Sequence, residues 1–127
     1  MSGSGNVKVL QPYRPSNSRL KVSGTGIMTI QQLETNNIDA LISGAGELFI
    51  ATGTANHVDA DIDGSGRIDL LGVTGNTART EIAGSGSVKL NVVQELITRI
   101  TGSGKVYYKG NPIINTTITG SGKVIRL

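Results

Sequence analysis

A Gly-(Ser/Ala/Thr)-Gly triplet recurs along the chain, starting at Gly3, Gly24, Gly44, Gly64, Gly84, Gly102 and Gly120. The spacings are 21, 20, 20, 20, 18 and 18 residues, and the triplets hold fourteen of the eighteen glycines. A flexible linker explains one such triplet. It does not explain seven at near-constant spacing, each flanked by apolar residues at fixed offsets. Two residues before the triplet sit Val22, Ile42, Ile62, Ile82, Ile100 and Ile118; two after it sit Val7, Met28, Leu48, Ile68, Val88, Val106 and Val124. The alternation extends outward through Ile38, Ala40 and Ile42 on one side and through Ile30, Ile50, Leu70 and Leu90 on the other. Period two on both sides of a glycine is strand periodicity around a corner.

One such unit cannot bury its own apolar stripe, whereas units stacked in register bury all of them. The pattern predicts an all-β fold: a single-domain, right-handed parallel β-helix of about six coils, 18–21 residues per coil. At a strand spacing of about 4.8 Å the rod would be about 30 Å long. Right-handedness is expected from strand twist and crossover chirality. The predicted corner glycines are Gly24 and Gly26, Gly44 and Gly46, Gly64 and Gly66, Gly84 and Gly86, Gly102 and Gly104, and Gly120 and Gly122, where positive φ or close backbone approach excludes a side chain. Residues 1–127 read as one domain. Residues 1–20 would form an irregular first coil with a Pro-rich loop from Gln11 to Ser18, and residues 21–127 the regular coils. Gly72 to Asn76 and Gly110-Asn111-Pro112 read as further turns.

Composition fits this picture. Aromatic residues make up only 3% of the chain, so the core must be built from Ile, Val and Leu in narrow layers. There is no cysteine, which excludes disulfides and thiolate metal sites. No apolar run is long enough to span a membrane as a helix. Met1 to Gly5 has neither the basic nor the apolar region of a secretory signal. The net charge of +3 is unevenly spread: +4 over residues 1–30, −6 over 31–95 and +5 over 96–127. Basic ends flanking an acidic middle are ordinary surface scatter or a sign that the ends meet something acidic.

The recurring Ile-x-Gly-Ser-Gly-x-Val/Ile pattern resembles the head GIN domain family, also described as putative auto-transporter adhesins. The resemblance covers roughly residues 20–127. It is strongest at Ile100-Thr-Gly-Ser-Gly-Lys-Val-Tyr-Tyr-Lys-Gly-Asn-Pro112 and Ile118-Thr-Gly-Ser-Gly-Lys-Val124. It implies a right-handed parallel β-helix of secreted or cell-envelope bacterial proteins and no established activity.

No constellation of catalytic residues emerges. Asp59-x-Asp61-x-Asp63-Gly64 copies the first half of a calcium loop, but Leu70 stands where the bidentate Glu belongs and Gly66 where an Ile belongs. Alternation places these acids on the outer face of a strand whose inner face is Val58, Ala60 and Ile62; a weak cation site is the alternative. His57, the only histidine, lacks a neighbouring nucleophile and reads as a surface-loop residue. Register should set Arg79 beside Asp59, Glu81 beside Asp61, Arg67 beside Glu47 and Lys89 beside Asp69, so the carboxylates lie in ladders rather than in an acid–base pair. Gly102-Ser-Gly-Lys105 leads into a strand and lacks the second half of a phosphate loop. Basic residues without interleaved aromatics argue against nucleic acid. No cofactor is expected.

Alternation also points apolar residues outward: Ile27, Leu41, Phe49, Ile97, Tyr107 and Ile125. Ile27 with Phe49, and Tyr107 with Ile125, fall on adjacent coils and are the candidate interface. The chain begins at one triplet and stops just after another, which would leave open strand edges for stacking and favours a homo-oligomer or a partner lattice. Three readings follow. The first is a non-enzymatic structural module that attaches to other protein surfaces, such as a phage capsid decoration protein on a virion. The second is a bacterial surface adhesin or envelope domain, and the third a carbohydrate-active β-helix. A glycan ligand fits the second and third.

Overall fold

The computed structural model describes residues 2–3, 6–9 and 17–126. Every element in it is a strand: β1 (Ser2–Gly3), β2 (Asn6–Val9), β3 (Asn17–Gly24), β4 (Ile27–Glu34), β5 (Asn37–Gly44), β6 (Glu47–Gly64), β7 (Arg67–Gly84), β8 (Ser87–Gly102), β9 (Lys105–Lys109), β10 (Ile113–Thr119) and β11 (Lys123–Arg126). Every pairing is parallel. The result is a single β-solenoid domain of about six turns.

Segments before each glycine corner stack on one another, as do segments after it. In the first stack Val22 pairs Ile42, Ile42 pairs Ile62, Ile62 pairs Ile82, Ile82 pairs Ile100 and Ile100 pairs Ile118. In the second stack Met28, Leu48, Ile68, Val88, Val106 and Val124 follow one another in the same way. Period two turns each of these columns inward, and stacking covers each rung with the next. Val22, Ile42, Ile62, Ile82 and Ile100 are all completely buried. A neighbouring inner column is narrower, with Ala40 and Ala60 followed by Thr80 and Thr98. The two buried threonines satisfy each other: Thr80 Oγ1 donates to Thr98 Oγ1 at 3.2 Å.

The glycine corners differ in what each glycine does. The first residue of every described triplet has positive φ, from 94° at Gly24 to 123° at Gly84. The second is excluded from carrying a side chain by crowding. A Cβ on Gly66 would lie 2.8 Å from the carbonyl oxygen of Gly46 and would strike Ile42 Cγ2. Ladder hydrogen bonds run through the corner without interruption: Ser65 N donates to Gly44 O at 3.1 Å, and Arg67 N to Gly46 O at 3.0 Å.

The second corner departs from expectation. The sequence predicts a turn at Gly72 to Asn76, yet β7 runs for 18 residues straight through it, and β6 runs for 18 residues through the equivalent stretch one coil earlier. Extended backbone rounds the bend because its amides keep pairing with the coil below; Asn56 N and His57 N both donate to Asn36 O at 3.0 Å. The shortening from 20 to 18 residues is taken up here, where the β7–β8 register shifts between Leu70 and Thr74 and again between Gly75 and Thr77. Gly110 to Pro112 does break the strand between β9 and β10. The loop expected over Gln11 to Ser18 ends earlier than predicted: Asn17 and Ser18 belong to β3, and Ser18 pairs Ile38 on an inner column. The remainder of that loop, with Ser4, Gly5 and Leu127, lies outside the described residues.

Candidate functional site

Because the triplets carry no large side chains, the corner ladder is a depression flanked by longer residues. A groove of about 610 Å³ opens there, lined by Ser65, Gly66, Arg67, Ser85, Gly86, Ser87, Lys89, Ser103, Lys105 and Tyr107. Three adjacent columns build it. Ser65, Ser85 and Ser103 are the central residues of successive triplets. Arg67, Ser87 and Lys105 follow them in register, and Lys89 pairs Tyr107 one column further on. The lining holds three cations and no carboxylate. Carboxylates stand at one edge: Glu47 pairs Arg67, and Asp69 pairs both Phe49 and Lys89. A smaller depression of about 160 Å³ lies there, lined by Glu47, Phe49, Arg67, Asp69 and Lys89 among others. Beyond the other edge, Lys105 pairs Lys123.

The opposite character appears on the outer face of the first stack. Asp39 pairs Asp59 and Leu41 pairs Asp61, while Asp59 pairs Arg79 and Asp61 pairs Glu81 as the repeat predicts. Partial burial raises the Asp61 carboxyl above its ordinary value, and Glu81, Asp59, Asp39 and Asp63 add to the effect. Burial raises Asp59 as well, with Asp39 adding to it and Arg79 opposing it. Among the described residues no group of three or more His, Asp or Glu side chains is arranged to hold a metal ion.

His57 is in a strand and not in a loop, because β6 continues through the second corner. Its Nδ1 lies 2.9 Å from Thr77 Oγ1. Beside it runs an asparagine ladder that pattern reading overlooked: Asn76 Nδ2 donates to Asn56 Oδ1, and Asn56 Nδ2 to Asn36 Oδ1, each at 3.2 Å. The signal was Asn at a spacing of 20 residues, which the same residues' preference for turns obscured.

The outward apolar residues divide. Ile27, Phe49 and Ile97 are exposed, at 39%, 42% and 39%. Tyr107 and Ile125 pair directly but are half-buried, and so is Leu41. Phe49 pairs Thr29 rather than Ile27, which makes Ile27 and Phe49 diagonal neighbours. Val93 and Ile113 are more exposed than any of these. They were missed because both lie near the second corner, where alternation lapses.

Comparisons with known proteins agree with this architecture. The sequence family described as "putative auto-transporter adhesin, head GIN domain" matches residues 1–112. A putative adhesin from Parabacteroides merdae superposes with a TM-score of 0.98 at 27% identity, covering 99% of this chain and 52% of that one. A putative adhesin from Parabacteroides distasonis gives 0.97 at 26% identity, covering 99% and 53%. A putative lipid binding protein from the same species gives 0.97 at 30% identity, covering 100% and 51%. The chain thus spans about half the length of these structures. No curated protein matches the sequence.

Proposed function

The chain belongs to the head GIN domain family of putative auto-transporter adhesins, and from that premise we propose that it is a non-enzymatic attachment domain that binds an extended surface. The observation that carries this reading is the shape of the solenoid. Its outer columns repeat one coil after another in parallel register, so side chains recur at a fixed spacing over the face and along the groove. Such a surface suits a repeating partner better than a single small molecule. The carboxylates stand in ladders with each other and with cations, which does not set up an acid–base pair across a cleft. The capsid-decoration reading gains no support from the comparisons, whose named proteins are adhesins and a lipid binding protein. The adhesin reading therefore takes its place.

The test is attachment itself. Purified, labelled domain is applied to immobilised neutral and acidic glycans, to lipid vesicles and to protein-coated surfaces. Saturable attachment to at least one class is expected, with the mass of every probe unchanged after long incubation. No attachment to any class would overturn the reading, and a shortened glycan would overturn its non-enzymatic part. Self-association through Ile27 with Phe49, or Tyr107 with Ile125, is a separate proposal, read by light scattering across dilution. A strict monomer would leave those spots free for a partner surface.

A further inference from the structure

Resting on the attachment reading above, we propose that the serine-lined corner groove binds an extended anionic saccharide, a sugar chain bearing sulfate or carboxylate groups. The charge is right: Arg67, Lys89 and Lys105 line it with no carboxylate among its ten residues. The length of the groove suits a chain better than a lone anion. Arg67 and Lys105 occupy one column with Ser87 between them, so two coil spacings, about 10 Å, separate their backbones. A single phosphate or sulfate would occupy only part of such a row, whereas a chain carrying anionic groups at intervals can engage its cations and its serines along the whole length. Glu47 and Asp69 offset Arg67 and Lys89 at one edge. The uncompensated end is Lys105, with Lys123 beside it, and the anionic groups should concentrate there.

The floor favours sugar over other polyanions. Ser65, Ser85 and Ser103 present a row of exposed hydroxyls, and no hydrogen bond engages these hydroxyls among the described residues. Hydroxyls both donate and accept, as the hydroxyls of a sugar chain require. Tyr107 supplies one ring, whereas a single-stranded nucleic acid is held by stacking successive bases on several aromatics. A bilayer presents a broad surface, and the cations here lie along a concave groove.

The probe is a heparin oligosaccharide of defined length, titrated calorimetrically into the wild-type chain and into variants whose circular dichroism and melting are unchanged. Affinity is expected to fall about tenfold in the Lys89→Gln/Lys105→Gln pair and to fall with rising salt. Ser85→Phe, which fills the groove without altering charge, should abolish binding. Arg19→Gln/Arg99→Gln removes equal charge from the other stack and should leave affinity unchanged. An equal loss in that control pair would reduce the effect to net charge and overturn the proposal. So would retention of binding in Ser85→Phe, equal binding of a neutral dextran oligosaccharide, or tighter binding of a single-stranded oligonucleotide or of phosphatidylglycerol vesicles. If the groove variants still attach wherever the wild type does, the saccharide inference falls and the attachment reading stands. If the wild type attaches nowhere, the attachment reading itself falls.

Discussion

Single residues in this protein are constrained by what lies one coil away, and the corner glycines show two distinct forms of that constraint. Gly64 needs its backbone conformation, with φ at 122°. Gly66 needs its missing side chain, because backbone and the buried Ile42 fill the space. Gly66→Ala should therefore lower stability by about 1–3 kcal/mol through overpacking. Gly64→Ala should lower it further, since conformational strain of about 1–3 kcal/mol adds to a 2.6 Å approach to Gly44 O. Ser65→Ala, between them, should change stability by less than about 0.5 kcal/mol. Urea denaturation of the three variants measures all of this, and an Ser65→Ala effect equal to the glycine effects would contradict it. Ser18 offers the opposite case. It is buried on an inner column, and its Oγ has no hydrogen-bond partner among the described residues. Ser18→Ala should raise stability by about 1 kcal/mol, seen as a higher denaturation midpoint.

At the scale of the strand, parallel in-register stacking sets like against like, and the acidic columns of β5, β6 and β7 bear the consequence. Asp61 stands beside Glu81, and burial together with the surrounding carboxylates raises its pKa. A carboxyl whose folded pKa exceeds its unfolded value binds its proton more tightly in the folded state. Stability is therefore lost as pH rises from the ordinary aspartate value of 3.8 through the raised folded pKa, and the whole penalty persists at neutral pH. Asp61→Asn should melt at a higher temperature than the wild type at neutral pH, and the difference should close as pH falls below 3.8. Melting curves across pH decide it; a gap that widens on acidification would reverse the sign. These columns were legible in the sequence, because a fixed repeat converts a spacing of 20 into a neighbour. Asp59 with Arg79 and Asp69 with Lys89 came from counting alone. The second corner was not legible. Its bend needs no conserved spacing of glycine, and hydrogen bonds to the coil below hold Asn56 and His57 in extended backbone that local turn preference would not choose. The groove was hidden for a related reason. Its serines and cations sit in columns that each looked like solvated surface, and only the stacking of three short serines between columns of longer side chains brings them into one groove.

As a whole molecule, a solenoid has no single centre: each coil is stabilised by the coils on either side, and stability varies along the axis. The middle rungs Ile62 and Ile82 are fully buried between neighbours, whereas Ile118 in β10, the same column position, is 38% exposed, and every residue of β10 is exposed. Opening should therefore proceed from the β10–β11 side inward. Amide hydrogen exchange should be slowest in the stretches of β6, β7 and β8 around Ile62, Ile82 and Ile100, and fastest in β10 and β11. Truncating a middle rung acts on two interfaces at once. Ile82→Ala should cost about 2–5 kcal/mol and should carry fast exchange inward from β10 to β8, because it weakens the coil that β8 stacks on. Ile118→Ala should cost less, about 1–2 kcal/mol, since Ile118 is 38% exposed rather than fully buried, and should leave the β6 amides as slow as in the wild type. A profile that falls uniformly along the chain in both variants would show instead that the coils unfold as one cooperative unit. The groove spans the coils from Ser65 to Tyr107, which places it over the slowest-exchanging part of the rod. A ligand held there would bridge coils that are already fixed, so binding should slow exchange in β9 more than in β6.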